Sequence, residues 1–389
     1  MHIIMFLFLV SLLSCQTKIS PLKLDRISPA YWPTKNWQKT SPESQGMDSS
    51  KLTAMLRLIK EKNYRIDSVT VVRNNFIVTD AYQYPVKPED QHQIYSVTKS
   101  ILSSLIGIAI DKKFIENTNT PLLEFFKDRK ILNVDEDKKA ITLENLLTMS
   151  SGLKTEDSWR YKWKGMLKMK AQNDWLQYLL DLPMDTHPGK EFSYSNGSSY
   201  LISRILNKTT QMKPRLFAQK YLFSHLGINA RDISWKLDKD DIQVGWAGMQ
   251  MTPRDMAKFG VLFLNEGKWE NKQLVSKEWI RTSTQTHIAA DIYQNYGYQW
   301  WNGPAMFNMD KLWRWQWNWG FKNNYSQDYY MAVGFRGQYI FIAPAYNLVA
   351  VFTSNLTDKK HFFIPKALVD EYIIPSVTEH RKIPDKATA

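Results

Sequence analysis

Serine and lysine three residues apart on a helix share one face, with Cβ atoms about 5–6 Å apart, so that an amine can reach a hydroxyl. Ser96-Val97-Thr98-Lys99 has this spacing. Ser20 with Lys23 and Ser151 with Lys154 share it, but Pro21 follows the first serine and Gly152 the second, so neither pair rides a rigid helix. Ser96 instead opens a long apolar run in which Val97, Ile101, Leu102, Leu105, Ile106, Ile108 and Ile110 cover nearly every direction. Such a helix is buried on most sides. Its first turn offers backbone N–H groups and a positive dipole end to a developing anion. A lysine there, partly desolvated, falls below its ordinary pKa and can serve as a base for the serine.

Two further groups could complete an acyl-transfer site. Tyr194-Ser195-Asn196 lies in PGKEFSYSNGSSY, rich in turn formers and followed by the helical run YLISRIL. A phenol near Lys99 could relay a proton to a leaving group, and Asn196 could hydrogen-bond the amine or the acyl group. Tyr293-Gln294-Asn295 repeats the pattern without an upstream Pro-Gly or a following helix, so Tyr194 is preferred. Gly334-Phe335-Arg336-Gly337-Gln338 joins two strand-like runs. Glycine there lets a substrate approach, and the Gln338 amide can aim its N–H at an oxyanion alongside that of Ser96.

These residues need a scaffold. Asp48 is positioned to cap a helix with Leu52, Met55, Leu56 and Ile59 on one face. DSVTVV (67–72) and FIVTDAY (76–82) read as a hairpin across Arg73-Asn74-Asn75. Residues 96–235 are helical in pattern, and strands return in YYMAVGF (329–335), QYIFIA (338–343) and NLVAVFTS (347–354). Pro365 can start a closing helix containing Leu368, Val369 and Tyr372. The expected organisation is a strand-and-helix domain from residues 46–95 and 236–389, with a helical domain, 96–235, inserted between.

In this order the three motifs resemble the serine β-lactamase and penicillin-binding-protein superfamily. The likeness is nearest to its class C β-lactamase-related branch, with carboxylesterases and 6-aminohexanoate-dimer hydrolases. ITLENLLTMSSGL (141–153), WAGMQMTPRDMAKFGVLFLNEGKW (246–269), YGYQWW (296–301) and GFRGQYIFIAP (334–344) carry the likeness further. It implies an α+β fold, with an antiparallel sheet of about five strands flanked by helices and a helical domain beside it. Ser96 would be the acylated nucleophile, Lys99 the proton acceptor and Tyr194 the relay. Asn196, Arg336, Gly337 and Gln338 would meet the substrate.

The chain departs from the superfamily where Lys-Thr-Gly is usual, since it carries Phe335-Arg336-Gly337. The lysine that grips a β-lactam or peptide carboxylate is missing, and Arg336, one residue along a strand, points elsewhere. The expectation is therefore a serine esterase or amidase that needs no cofactor or metal. A β-lactamase or D-Ala-D-Ala carboxypeptidase is one alternative, a non-catalytic envelope module of the same fold another.

The 389 residues include 51 Lys+Arg against 38 Asp+Glu, a net +13 that favours anionic surfaces. No dinucleotide loop, Walker sequence, H-E-x-x-H or G-x-S-x-G supports another enzyme class, and charge alone does not make a nucleic-acid binder. The single cysteine, Cys15, excludes an internal disulfide. It follows IIMFLFLVSLL (3–13), too short to span a bilayer. Leu12-Leu13-Ser14-Cys15 resembles a lipobox, although His2 stands where Lys or Arg is usual; an ordinary cleaved signal or a buried strand is the other reading. Residues 1–14 would be a signal peptide, Cys15 the lipid attachment site and 15–45 a tether, leaving the protein on a bacterial envelope membrane. Trp313, Trp315, Trp317 and Trp319 alternate with polar residues, and packing against the domain is preferred over a ligand-binding wall. YKWKGMLKMK (161–170) reads as a solvated helix face ahead of a membrane- or polymer-binding one.

Overall fold

The computed structural model describes residues 29, 31–157, 162–290, 294–303 and 329–378. Cys15 with its leader, Tyr161, and Trp313, Trp315, Trp317 and Trp319 lie outside them.

In chain order the first strands are β1 (Ile66–Arg73), β2 (Phe76–Tyr82), β3 (His92–Gln93), β4 (Ser234–Trp235), β5 (Met249–Met251), β6 (Lys268–Trp269) and β7 (Lys272–Gln273). After them come β8 (Ile288–Ala289), β9 (Asn295–Tyr296), β10 (Trp301–Asn302), β11 (Tyr330–Gly334), β12 (Gln338–Ala343) and β13 (Leu348–Ser354). The main sheet runs β2-β1-β13-β12-β11-β10-β9-β8, antiparallel throughout. Strands from both ends of the chain meet where β1 pairs with β13. Five of the eight strands are long enough to read from sequence; β8, β9 and β10 have two residues each, too few for periodicity.

Alternation along the strands covers both faces. Ile340 and Ile342 of β12 and Val349 and Val351 of β13 join one apolar cluster. Their neighbours Tyr339, Phe341, Ala343, Leu348, Ala350 and Phe352 join another. Helix α1 (Ser49–Glu61), capped by Asp48 Oδ1 accepting from Ser50 N–H at 2.9 Å, covers the second face with Leu52, Met55 and Ile59. The closing helix Ile364–Leu368, with Pro365 in its first turn, shares that face.

The opposite face carries α2 (Val97–Asp111), buried from Val97 to Ala109. The helices that follow are α3 (Glu136–Ala140), α4 (Leu143–Leu147), α5 (Lys164–Ala171), α6 (Trp175–Asp181), α7 (Asn196–Thr210), α8 (Pro214–Ala218) and α9 (Pro253–Leu264). Helix α2 lies against β11 and β12 on one side and against α7 and α8 on the other. Gln299 ties this junction together. Its carbonyl accepts from Ser100 Oγ at 2.7 Å, its Oε1 from Ser199 Oγ at 2.9 Å, and its Nε2 donates to Leu147 O at 3.0 Å. Polar groups inside the helical core are thus satisfied while α2, α4 and α7 are held in register.

Residues from Tyr31 to Gln45, within the stretch read as a tether, run against the body. Ile77 N–H donates to Gln38 O at 3.0 Å, Thr40 N–H to Ile77 O at 3.1 Å, and the Trp32 ring lies 5.1 Å from that of Trp269. Among the described residues no helix is long and apolar enough to cross a membrane.

Candidate active site

A tight turn starts α2. The N–H groups of Val97, Thr98 and Lys99 donate to the carbonyls of Ile94, Tyr95 and Ser96 at 3.1, 3.1 and 3.0 Å. Tyr95 takes φ +47°, a left-handed conformation that costs a non-glycine residue about 1–3 kcal/mol. Ser96 stands at the N-cap, yet its side chain makes no capping bond. Its partly exposed hydroxyl faces Lys99 instead, at 3.2 Å from Nζ.

Lys99 is 1% exposed, and its Nζ also lies 2.9 Å from Asn196 Oδ1 and 2.9 Å from the Trp246 carbonyl. A neutral amine has two N–H donors and one lone pair. The amide and carbonyl oxygens are acceptors only, so in the neutral form they take both hydrogens and the lone pair can accept from the Ser96 O–H. Burial lowers the Lys99 pKa to about 7, with the Asp157 carboxylate pulling it back up. That displacement from 10.5 corresponds to roughly 5 kcal/mol against the ammonium. Burial thus favours the neutral amine beside Ser96.

The Tyr194 ring centroid lies 4.9 Å from Lys99 Nζ, with the Ser96 hydroxyl next to its phenol. Burial pushes the phenol well above its ordinary pKa, with Ser96 opposing and the Asp157 charge adding to the rise, so it stays protonated as a donor. Trp301 stacks on Tyr194 at 6.2 Å and Trp163 meets it edge-on at 5.9 Å. These indoles fix the ring that must reach Ser96.

The β11–β12 hairpin abuts the same turn. A Cβ on Gly334 would stand 2.3 Å from Ile94 O, so only glycine allows this approach, and Phe335 meets the Tyr95 ring edge-on at 5.6 Å. Gly337 turns the chain at φ +86°. Gln338 opens β12 opposite Gly334, with its side chain pinned to β13 by Nε2 donating to Ser354 O at 2.5 Å. Arg336 sits at φ +63° and donates from Nη1 to Asn355 Oδ1 at 3.1 Å. The structure thus gathers Ser96, Lys99, Tyr194 and Asn196, sets the Gly337–Gln338 turn on the hairpin beside them, and engages Arg336 with Asn355.

The Beta-lactamase family model matches residues 54–371, most of the chain. The chain belongs to the Beta-lactamase family. It is similar to 6-aminohexanoate-dimer hydrolase of Paenarthrobacter ureafaciens, 22% identical over 296 residues that cover 69% of this chain and 74% of that protein. EstCE1, a hydrolase with promiscuous acyltransferase activity, shares the fold at a TM-score of 0.66 and 14% identity, covering 87% of this chain and 99% of that one. The octameric penicillin-binding protein homologue from Pyrococcus abyssi does so at 0.61 and 17% identity, covering 86% and 79%.

Two groups that contact these residues in this Beta-lactamase family member escape sequence reasoning. Trp246 acts through its backbone carbonyl, which no side-chain motif reveals. It is set by Gly245, where a Cβ would stand 2.0 Å from Ser199 O on α7. Asp157 is buried beneath α7, with Oδ2 accepting from Asn196 N–H at 2.5 Å and Gly197 N–H at 3.3 Å, and Oδ1 from Met166 N–H at 3.1 Å. Its partners are backbone groups distant in sequence, so nothing around it in the chain marks it.

Proposed function

We propose that the protein is a serine hydrolase of esterase or amidase type that forms an acyl-enzyme on Ser96. The observation that carries this reading is the buried Lys99 amine, whose Nζ lies 2.9 Å from Asn196 Oδ1, 2.9 Å from Trp246 O and 3.2 Å from Ser96 Oγ. Lys99 accepts the Ser96 proton, the freed oxygen attacks the acyl carbon, and Tyr194 hands a proton to the departing alcohol or amine. The N–H groups of Ser96 and Gln338 receive the oxyanion. Water then enters along the leaving-group path, and the Tyr194–Lys99 pair activates it for deacylation.

Small acyl esters and amides are the proposed substrates. The engagement of Arg336 with Asn355, together with the absent Lys-Thr-Gly lysine, argues against a carboxylate grip on β-lactams or D-Ala-D-Ala peptides. Cleavage of the leader and lipidation of Cys15 would hold the enzyme on a bacterial envelope membrane.

The test incubates the chain lacking residues 1–15 with short-chain nitrophenyl esters, nitrocefin and D-Ala-D-Ala peptides. Ester turnover by the parent and none by Ser96→Ala is expected. Equal rates in both would overturn the hydrolase; rapid nitrocefin cleavage would restore the β-lactamase reading.

A further inference from the structure

The Ser96–Lys99–Asn196 contacts end on a buried carboxylate. Asp157 Oδ2 accepts the Asn196 N–H at 2.5 Å, and the side chain of that same Asn196 takes a hydrogen of Lys99. Bonds from Gly197 and Met166 fix the carboxylate between the first turn of α7 and helix α5. The titratable groups that face it are Lys99 of α2, Lys170 of α5, Tyr178 of α6 and Tyr194 in the loop before α7.

We propose that Asp157 is a positioning residue of this site, holding Asn196 on the Lys99 amine and supplying the negative charge that stabilises the ammonium formed when Lys99 takes the Ser96 proton. The proposal rests on the hydrolase reading. In the step it serves, the Ser96 O–H bond breaks and its proton joins the Lys99 lone pair. The oxygen electron pair forms the bond to the acyl carbon. Asp157 accepts no proton; it remains ionised and lowers the energy of the cation created nearby, as the carboxylate of a Ser-His-Asp site does for its imidazolium. Burial pushes the Asp157 carboxyl up to about 6, opposed by the Asn196 N–H and the Lys99 charge, so the charge is present at neutral pH.

A fluorophosphonate probe tests this without a known substrate. Attack by Ser96 forms an O–P bond, fluoride leaves, and Lys99 keeps the proton before passing it to water. The labelling rate of the full chain is followed by intact mass from pH 5 to 9, with peptide mapping to Ser96. The parent rate is expected to rise with a midpoint near 7. Asp157→Asn carries no charge and keeps one accepting oxygen for the Asn196 and Gly197 N–H groups, giving up the bond from Met166 N–H. Its midpoint should move on the order of one pH unit toward acid and its plateau fall roughly tenfold, while Asp157→Glu keeps the parent midpoint. A profile for Asp157→Asn with the parent midpoint and plateau would overturn the proposal and leave Asp157 as a helix cap.

Asp157→Ser is the second uncharged variant. Should neither fold, the parent profile decides: a two-proton fall below about pH 6 supports the Lys99–Asp157 pair, and a one-proton slope throughout overturns it. Failure of the parent to label at Ser96 overturns the hydrolase reading itself, and the proposal with it.

Discussion

Lys99 Nζ stands 3.2 Å from Ser96 Oγ, the one hydroxyl among the three oxygens it contacts. Removing either partner should therefore be equally damaging. Ser96→Ala and Lys99→Met are each expected to lower nitrophenyl ester turnover by at least roughly 10²–10⁴-fold, and the double variant by no more than the worse single one. Additive losses in steady-state kinetics would mean that the two residues do not act as a unit.

The same burial makes Lys99 a pH-dependent burden on folding. Its folded pKa of about 7 lies below the unfolded value, so between about pH 7 and 10 the unfolded chain binds the extra proton and stability rises with pH. Below pH 7 the penalty is fully present. Lys99→Met removes it, so thermal melts should show the variant gaining most on the parent at pH 6 and its advantage shrinking toward pH 10. A constant difference in Tm across that range would contradict a buried neutral amine.

Tyr194→Phe keeps the ring on Trp301 and removes the proton. Its acylation rate, read from the pre-steady-state burst, should fall roughly 10²-fold or more for alkyl esters and far less for nitrophenyl esters, whose leaving group needs no proton. Equal losses on both ester types, measured side by side, would deny Tyr194 the relay.

Gly334 lets the hairpin touch the turn that carries Ser96. Gly334→Ala must displace backbone, because the new Cβ would stand 2.3 Å from Ile94 O. A cost of about 1–3 kcal/mol in denaturant unfolding is expected, with a parallel loss of Ser96 labelling. Unchanged stability and labelling would mean that the hairpin and turn move freely past one another.

How much of this was legible in the chain depends on where each signal resides. The β1–β2 hairpin and strands β11 to β13 announce themselves because β-branched and aromatic residues run five to eight long. A two-residue strand such as β10 is too short to show any periodicity. Ser96 and Lys99 stand out because helical spacing puts them together before any tertiary contact is known. Trp246 contributes a carbonyl and Asp157 bonds to distant backbone, and such roles arise only after α5, α7 and the Gly245 segment have packed. Arg336 sits on the turn between β11 and β12 rather than within a strand, so the strand alternation used to place its side chain does not operate there.

Nitrogen-15 NMR of the Lys99 side chain, assigned by comparison with Lys99→Met and titrated from pH 5 to 10, reads the decisive proton directly. A midpoint close to 7 is the predicted result. An ammonium that persists beyond pH 9 would contradict the account, since no base would then stand beside Ser96.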